Sequence, residues 1–338
     1  MSVIYGNPII VGGGGLELVC NVDTGSTVTA TLGSQTVTGV SVDGQIRLKI
    51  PKEGKWTVSA VNGLMVSVPQ QISVPATLDI PLVAQELNDT SWAAIKQVAD
   101  ASMGTNFWSA GDCKQITMNG KVSDGLTLSG YSTWVYIIGF DHNSSREGTG
   151  IAFQGFKATK NGTPVCLVDS GCGNQCSSGW FCMNGALASG SATNAGGWSS
   201  CGMRQSIMPL IKAAFPSDLQ AVIKTSTIYT DNAGGAPQTL PELTATQDDV
   251  YLLAEYEIFG ARSYANNREV NYLKQYAYYA AGNSKVKYRH NATGSATWWW
   301  ERSPYSGNSY DFCIVYTGGG AGRDNAHCSR GVAPAFKI

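Results

Sequence analysis

The chain has 338 residues, of which 14% are charged and 43% apolar, and its net charge is −1. Charge well below the roughly 25% of an average globular chain, with no long basic run, makes nucleic acid and anionic membrane poor partners. Aromatic residues at 10% exclude a disordered chain, and no stretch approaches about 18 apolar residues, so membrane insertion is not expected.

Residues 1–15, MSVIYGNPIIVGGGG, carry no Lys or Arg before a short apolar stretch, so no secretory signal is expected and synthesis is placed in the cytoplasm. The segment ends in four glycines and reads as an attachment arm with a flexible exit. Nine cysteines, an odd number in a chain too large to need staples, are expected as reduced thiols. The Asn-x-Ser/Thr matches at Asn88, Asn143, Asn161 and Asn291 then carry no glycosylation meaning.

Residues 16–84 alternate. LELVCNV, STVTATL, QTVTGVSV, QIRLKI, KWTVSAV, LMVSVP and ATLDIPLV are separated by turn formers at Asp23-Thr24-Gly25, Val42-Asp43-Gly44, Lys52-Glu53-Gly54 and Asn62-Gly63. Short Val/Ile/Thr-rich runs at this spacing predict a small antiparallel, Ig-like β-sandwich, and the lack of any His leaves it the role of a spacer.

From residue 85 to 338 the pattern is mixed. Asn88-Asp89-Thr90-Ser91 offers N-caps to an amphipathic run starting at Trp92. Strands are predicted at 114–118, 134–140, 151–157 and 163–168, and helices at 203–214 and 216–224. A strand-like run follows at 250–260, then a helix around 268–281, then fifty residues of strand and loop. With strands and helices in separate clusters, the class is α+β.

Enzyme signals are thin. Asp141-His142 ends a strand without a nucleophile elbow and reads as a turn. Cys172-x3-Cys176-x5-Cys182 lacks paired Cys-x2-Cys hooks and a nearby His, so no metal site is expected. Gly171–Gly173 lacks the Gly-Lys-Ser/Thr ending of a phosphate loop. Glu255 and Glu257, two apart on the strand-like run, would share a face as a glycosidase pair does. Trp298-Trp299-Trp300 reads as a core layer before a sugar-stacking platform.

The informative stretch is Ser303–Val332, thirty residues without Lys, Glu, Gln, Met or Trp. Those five types make up about one residue in six of the whole chain, so about five would be expected there. None of them has a codon ending in a pyrimidine. A period-two rhythm sets Val315, Thr317, Gly319 and Ala321 against Tyr316, Gly318, Gly320 and Gly322, so a strand would expose the second series. That surface mixes Tyr, Asn, Ser, Gly, Asp, His and Arg, the composition of a paratope.

Trp300-Glu301-Arg302-Ser303-Pro304, Phe312-Cys313 and Ser329-Arg330-Gly331-Val332-Ala333-Pro334-Ala335-Phe336 strongly resemble the C-terminal variable region of diversity-generating retroelement target proteins. In particular they resemble the variable proteins of gut-bacterial phages and prophages, relatives of the phage major tropism determinant. Upstream the resemblance includes Phe107–Asp112, Ile137–Asn143, Cys182-Met183-Asn184, Met203-Arg204 and Phe215–Leu219, covering about 92–338. It implies a C-type-lectin-like fold, shared with formylglycine-generating enzymes, over residues 85–338, with a variable region at about 298–336. It also implies that adenine-containing codons are randomised during reverse transcription; asparagine codons AAC or AAT would then stay pyrimidine-ending.

The diversified, ligand-binding positions implied are Tyr305, Ser306, Gly307, Asn308, Tyr310, Asp311, Ile314, Tyr316, Gly318, Gly320, Gly322, Arg323, Asp324, Asn325, His327, Cys328 and Arg330. Ser303, Pro304, Phe312, Val315, Gly319, Ala326, Ser329 and Gly331–Phe336 would be scaffold. Lys337 departs from the pattern, since related tails often place an apolar residue or cysteine there.

The function implied is a phage or prophage tail receptor-binding protein, without catalytic residues, metal or cofactor. Its partners would be a bacterial surface receptor, protein or glycan, and tail or baseplate proteins through the N-terminal region; a homotrimer fits tail proteins. Two other readings stay open. One is a formylglycine-generating-type copper oxidase with Cys313 and Cys328 as its thiol pair. The other is a sugar-binding lectin without calcium, because the calcium-binding Glu-Pro-Asn and Gln-Pro-Asp triplets are missing.

Overall fold

Turn chemistry sets the first strands. In the computed structural model, which describes residues 15–176, 180–184, 192–235 and 241–338, these are β1 (Leu16–Asn21), β2 (Thr27–Leu32), β3 (Gln35–Val40), β4 (Gln45–Ile50), β5 (Lys55–Asn62), β6 (Met65–Ser67), β7 (Gln70–Ser73), β8 (Ala76–Asp79) and β9 (Leu82–Val83). Gly25, Gly44, Gly54 and Gly63 each take positive φ at the connections, the conformation glycine adopts without penalty. The attachment arm expected over 1–15 lies, up to residue 14, outside the described residues.

The described chain divides into two units, one ending at Gln85 and one running from Glu86 to Ile338. In the first, β4-β1-β8 form one sheet and β3-β2-β5-β6-β9 another, with β7 on β5. Leu18, Cys20, Val28, Ala30, Leu48, Trp56, Val58 and Ala60 form their shared core. Alternation supplies these inward residues, as half-buried strands require. One pair departs from the antiparallel expectation: β1 and β8 run parallel, Leu18 opposite Ala76.

The second unit is built on a five-stranded antiparallel sheet ordered β10-β11-β12-β22-β16. Its strands are β10 (Cys113–Ser123), β11 (Leu126–Phe140), β12 (Ile151–Lys157), β16 (Val250–Tyr251) and β22 (Ala335–Lys337). Between these in chain order lie β13 (Val165–Cys166), β14 (Ser226–Thr230) and β15 (Thr244–Asp248), then β17 (Lys287–Arg289), β18 (Ala292–Thr297), β19 (Trp299–Pro304), β20 (Asp311–Val315) and β21 (Ala321–Asn325). The chain end is therefore an interior strand, so the tail is anchored on both sides. Helix α1 (Trp92–Asp100) starts where Ser91 accepts the Ala94 N–H at 3.2 Å, a side-chain N-cap. Its Trp92 meets Phe153 and Phe336 edge-on, and those two rings stack at 5.4 Å. Among the described residues no helix is long and apolar enough to cross a membrane.

Several elements differ from expectation. The run at 250–260 is a strand only at Val250–Tyr251; Glu255–Phe259 is a short helix. Its start is fixed by the Glu257 carboxylate, which accepts the Ala254 N–H at 2.9 Å, and its end by Gly260 at φ +66°. The helix expected at 203–214 begins as a π turn, Met203–Ile207, and becomes α only from Met208. Pro209, which has no N–H to give, sits at that junction. The helix expected at 216–224 is confined to Ser217–Gln220, and that around 268–281 is split into Glu269–Tyr272 and Ala277–Ala280 by extended backbone at Leu273 and Tyr276.

The tail differs from expectation too. The alternation across 315–322 is not one strand. β20 and β21 form a hairpin in which Tyr316 N–H donates to the Gly320 carbonyl and Gly319 N–H to the Tyr316 carbonyl, each at 2.8 Å. Gly319 takes φ +81°, so glycine is needed there to reverse the chain. β20 is the middle strand of β19-β20-β21, and all five of its residues are buried. Period two therefore does not predict exposure within it. Ile314 and Asp311, expected as exposed ligand contacts, are interior, and so is Gly322, which is covered by the Tyr316 ring.

Candidate ligand-binding face

The frame begins at β19. Trp299 and Trp300 are fully buried and spend their indole N–H groups on the carbonyls of Lys285 and Phe181, at 3.0 and 2.9 Å. Arg302, equally buried, satisfies all five of its donors. Two go to the Glu257 carboxylate at 2.6 and 2.7 Å, and the rest to the carbonyls of Leu252 and Tyr229 and the Thr230 hydroxyl. Ser303 Oγ donates to Glu269 at 2.5 Å and accepts the Glu255 N–H at 3.1 Å. Burial pushes the Glu269 carboxyl up to about 8. Among the described residues Glu301 finds no partner for either oxygen, and burial raises its carboxyl well above the ordinary range.

Beyond β19 the chain is gripped by its backbone. Asn194, buried, donates its side-chain amide to the carbonyls of Tyr305, Asn308 and Asp311 at 3.2, 2.9 and 2.9 Å. Its own N–H donates to the Ser309 carbonyl at 2.9 Å. At the other end, the Asp169 carboxylate accepts Ser329 Oγ at 2.7 Å and the N–H groups of Gly171 and Phe181 at 3.0 and 2.6 Å. Between them, Cys176 N–H donates to the His327 carbonyl, Asn184 N–H to that of Ala326, and Arg330 N–H to that of Phe181. Neither Asn194 nor Asp169 belongs to any motif; each stands in a loop more than a hundred residues from the tail atoms it holds, so no local signal marks that role.

Tail side chains reach solvent to different degrees. Of the positions expected to be diversified, Gly307, Tyr310, Gly318, Gly320 and Arg323 are exposed. Tyr305, Ser306, Asn308, Tyr316, Asp324, Asn325, His327, Cys328 and Arg330 are half-buried. Of the expected scaffold, Ser303, Pro304, Phe312, Val315, Ala326, Ser329 and Gly331–Phe336 are buried, and Gly319 is half-buried in its turn. The aromatic and charged groups of the face form two clusters. The Arg323 guanidinium lies 4.7 Å from the Tyr305 ring centre and pairs with Asp311, while Tyr305 meets Tyr264 edge-on. Trp298 packs edge-on against Tyr316, with the Arg330 guanidinium 5.0 Å from its ring centre. Arg330 is itself held to Asp324 at 2.5 Å.

The alternative chemistries fare differently. Glu255 and Glu257 do not face one space: Glu255 accepts the N–H groups of Tyr264 and Ala265, while Glu257 is bound to Arg302. Cys313 is fully buried with its thiol pushed well up by burial, and both it and half-buried Cys328 are free. Cys176 and Cys182, expected reduced, are joined as a disulfide; the other seven cysteines are free. His142 lies in the turn that follows β11, as expected, and is buried there. It stacks on Tyr276 at 3.6 Å, and its ligand nitrogen lies within 4.8 Å of oxygens of Glu147 and Glu257. That triad has the donors for a cation, but Arg302 occupies both Glu257 oxygens and the Lys337 ammonium stands 4.0 Å from Glu147. A dication would meet two cations already balancing two carboxylates, at high cost away from water. Lys337, the departure at the chain end, thus serves this buried network.

A family model described as a domain of unknown function (DUF6273) matches residues 180–338, which include Asn194 and the whole tail. No curated protein and no solved structure matches the chain.

Proposed function

We propose that the chain is a receptor-binding protein of a phage or prophage tail whose C-terminal face is diversified by a retroelement. On this reading residues 85–338 are a C-type-lectin-like domain, 16–84 an Ig-like spacer, and the N-terminal segment the attachment to tail or baseplate. The observation that carries it is the way the frame holds 305–330. Asn194, Cys176, Phe181 and Asn184 bind main-chain atoms of the tail. A main-chain grip is indifferent to side-chain identity, so many sequences can occupy one backbone, which a fixed catalytic geometry would forbid. Tyr, Asn, Ser, Gly and Arg on that backbone are the adaptable contacts of a binding surface. Modest affinity at each face would be compensated by several copies on one virion.

The neighbouring DNA tests the reading. A near-copy of the last ~100 bases with adenines at the differing positions, beside a reverse-transcriptase gene, is the expected finding. A locus with neither would remove the diversification.

A further inference from the structure

Beside the face is a cleft of about 260 Å³ lined by Cys172, Arg289, Thr297, Trp298, Thr317 and Arg330, among others. It is small beside the ~300–1,000 Å³ of a drug-sized site, about the size for a single sugar ring. Its two cations are unequal. Arg330 is neutralised by Asp324 at 2.5 Å. The side chain of Arg289, half-buried on β17, has no hydrogen bond or ion pair among the described residues, and no carboxylate lines the cleft. A partly desolvated guanidinium without a counter-charge is a site for an oxyanion, which it grips through two parallel N–H donors. Thr297, Thr317 and Trp298 add polar and apolar lining of the kind a sugar ring meets.

We infer that this cleft is a fixed anchor for the acidic group of a surface glycan, a carboxylate or a phosphate ester, with Arg289 as its ligand. Of the lining residues only Arg330 is among the positions expected to vary. The anchor would therefore be common to sibling proteins, while the diversified residues read what surrounds the acidic sugar. This rests on the receptor-binding reading, and it adds a chemical class of ligand to it.

The test is calorimetric titration of the full chain with glucuronate, glucose 6-phosphate and glucose, for wild type, Arg289→Gln and Arg289→Lys. Expected is binding of at least one acid and not of glucose, weakened at least tenfold in Arg289→Gln, less in Arg289→Lys, and weakened further by added salt. Preference for glucuronate assigns a carboxylate, and preference for the phosphate assigns a phosphate ester. An unchanged melting temperature in Arg289→Gln separates lost binding from lost fold. The inference is overturned if neither acid binds wild type, or if Arg289→Gln binds as well as wild type. A retroelement template found beside the gene while no acid binds would sink the anchor and leave the diversified face standing.

Discussion

Replacing Arg302 by Met tests whether the frame is rigid for the reason given. The guanidinium is fully buried and its five donors are all used, two of them on Glu257. Methionine fills much of the volume but leaves the Glu257 carboxylate with one remaining donor, the Ala254 N–H at 2.9 Å. Breaking a buried pair from one side costs about 3–5 kcal/mol, because a charge is left without compensation. For a unit of this size that corresponds to a melting shift of roughly 6–20 °C. Eight of the nine tryptophans lie beyond Glu86, so urea or thermal unfolding followed by indole fluorescence reports this unit. Adding Glu257→Gln removes the orphaned charge and should restore at least half of the loss. A single-variant loss below about 1 kcal/mol, or a double variant no better than the single, would refute the assignment of Arg302–Glu257 as the frame's central pair.

Asn194→Ala deletes three bonds to tail carbonyls. It should lower stability by roughly 2 kcal/mol and speed amide exchange in 305–311 more than at β12; equal acceleration in both would contradict a local clamp. Tyr310→Ser and His327→Ser should change stability by less than about 0.5 kcal/mol, whereas Ile314→Asn, placing an amide in a closed interior, should cost more than about 2 kcal/mol. Comparable melting curves for the three would show that the exposure pattern is wrong. Glu269 gives a pH test. Its folded carboxyl titrates at about 8 against an ordinary 4.5, so between those values the folded chain keeps a proton that the unfolded chain has lost. Its contribution is complete below pH 4.5 and falls as pH rises through 8, by at most about 1.4 kcal/mol per unit. Glu269→Gln should therefore gain on wild type as pH goes from 5 to 8, and a difference independent of pH would count against the buried acid.

What could be read in the sequence was local. The sandwich strands end where Asp23-Thr24-Gly25 and Asn62-Gly63 dictate, because the turn residues carry their own conformational preference. Trp92 follows its Ser91 cap for the same reason. YLLAEYEIF failed as a strand because a closed interior accepts either element, and the Glu257 cap on the Ala254 N–H together with the left-handed Gly260 terminus favours helix. The tail's composition pointed to a binding surface but not to its geometry: three consecutive glycines turned an apparent strand into a hairpin. Ile314 went inside because β20 is covered on both faces. Asn194, Asp169 and the Arg302–Glu257 pair act through partners distant in sequence, and such contacts leave no periodicity.

Sequencing the 3′ end of this gene across many lineages of one host population examines the central claim most directly. The account predicts substitutions concentrated at Tyr305, Tyr316, Arg323 and His327, with Trp300, Arg302, Phe312 and Asn194 unchanged. Substitutions spread evenly over face and frame, or a face identical in every lineage, would contradict it.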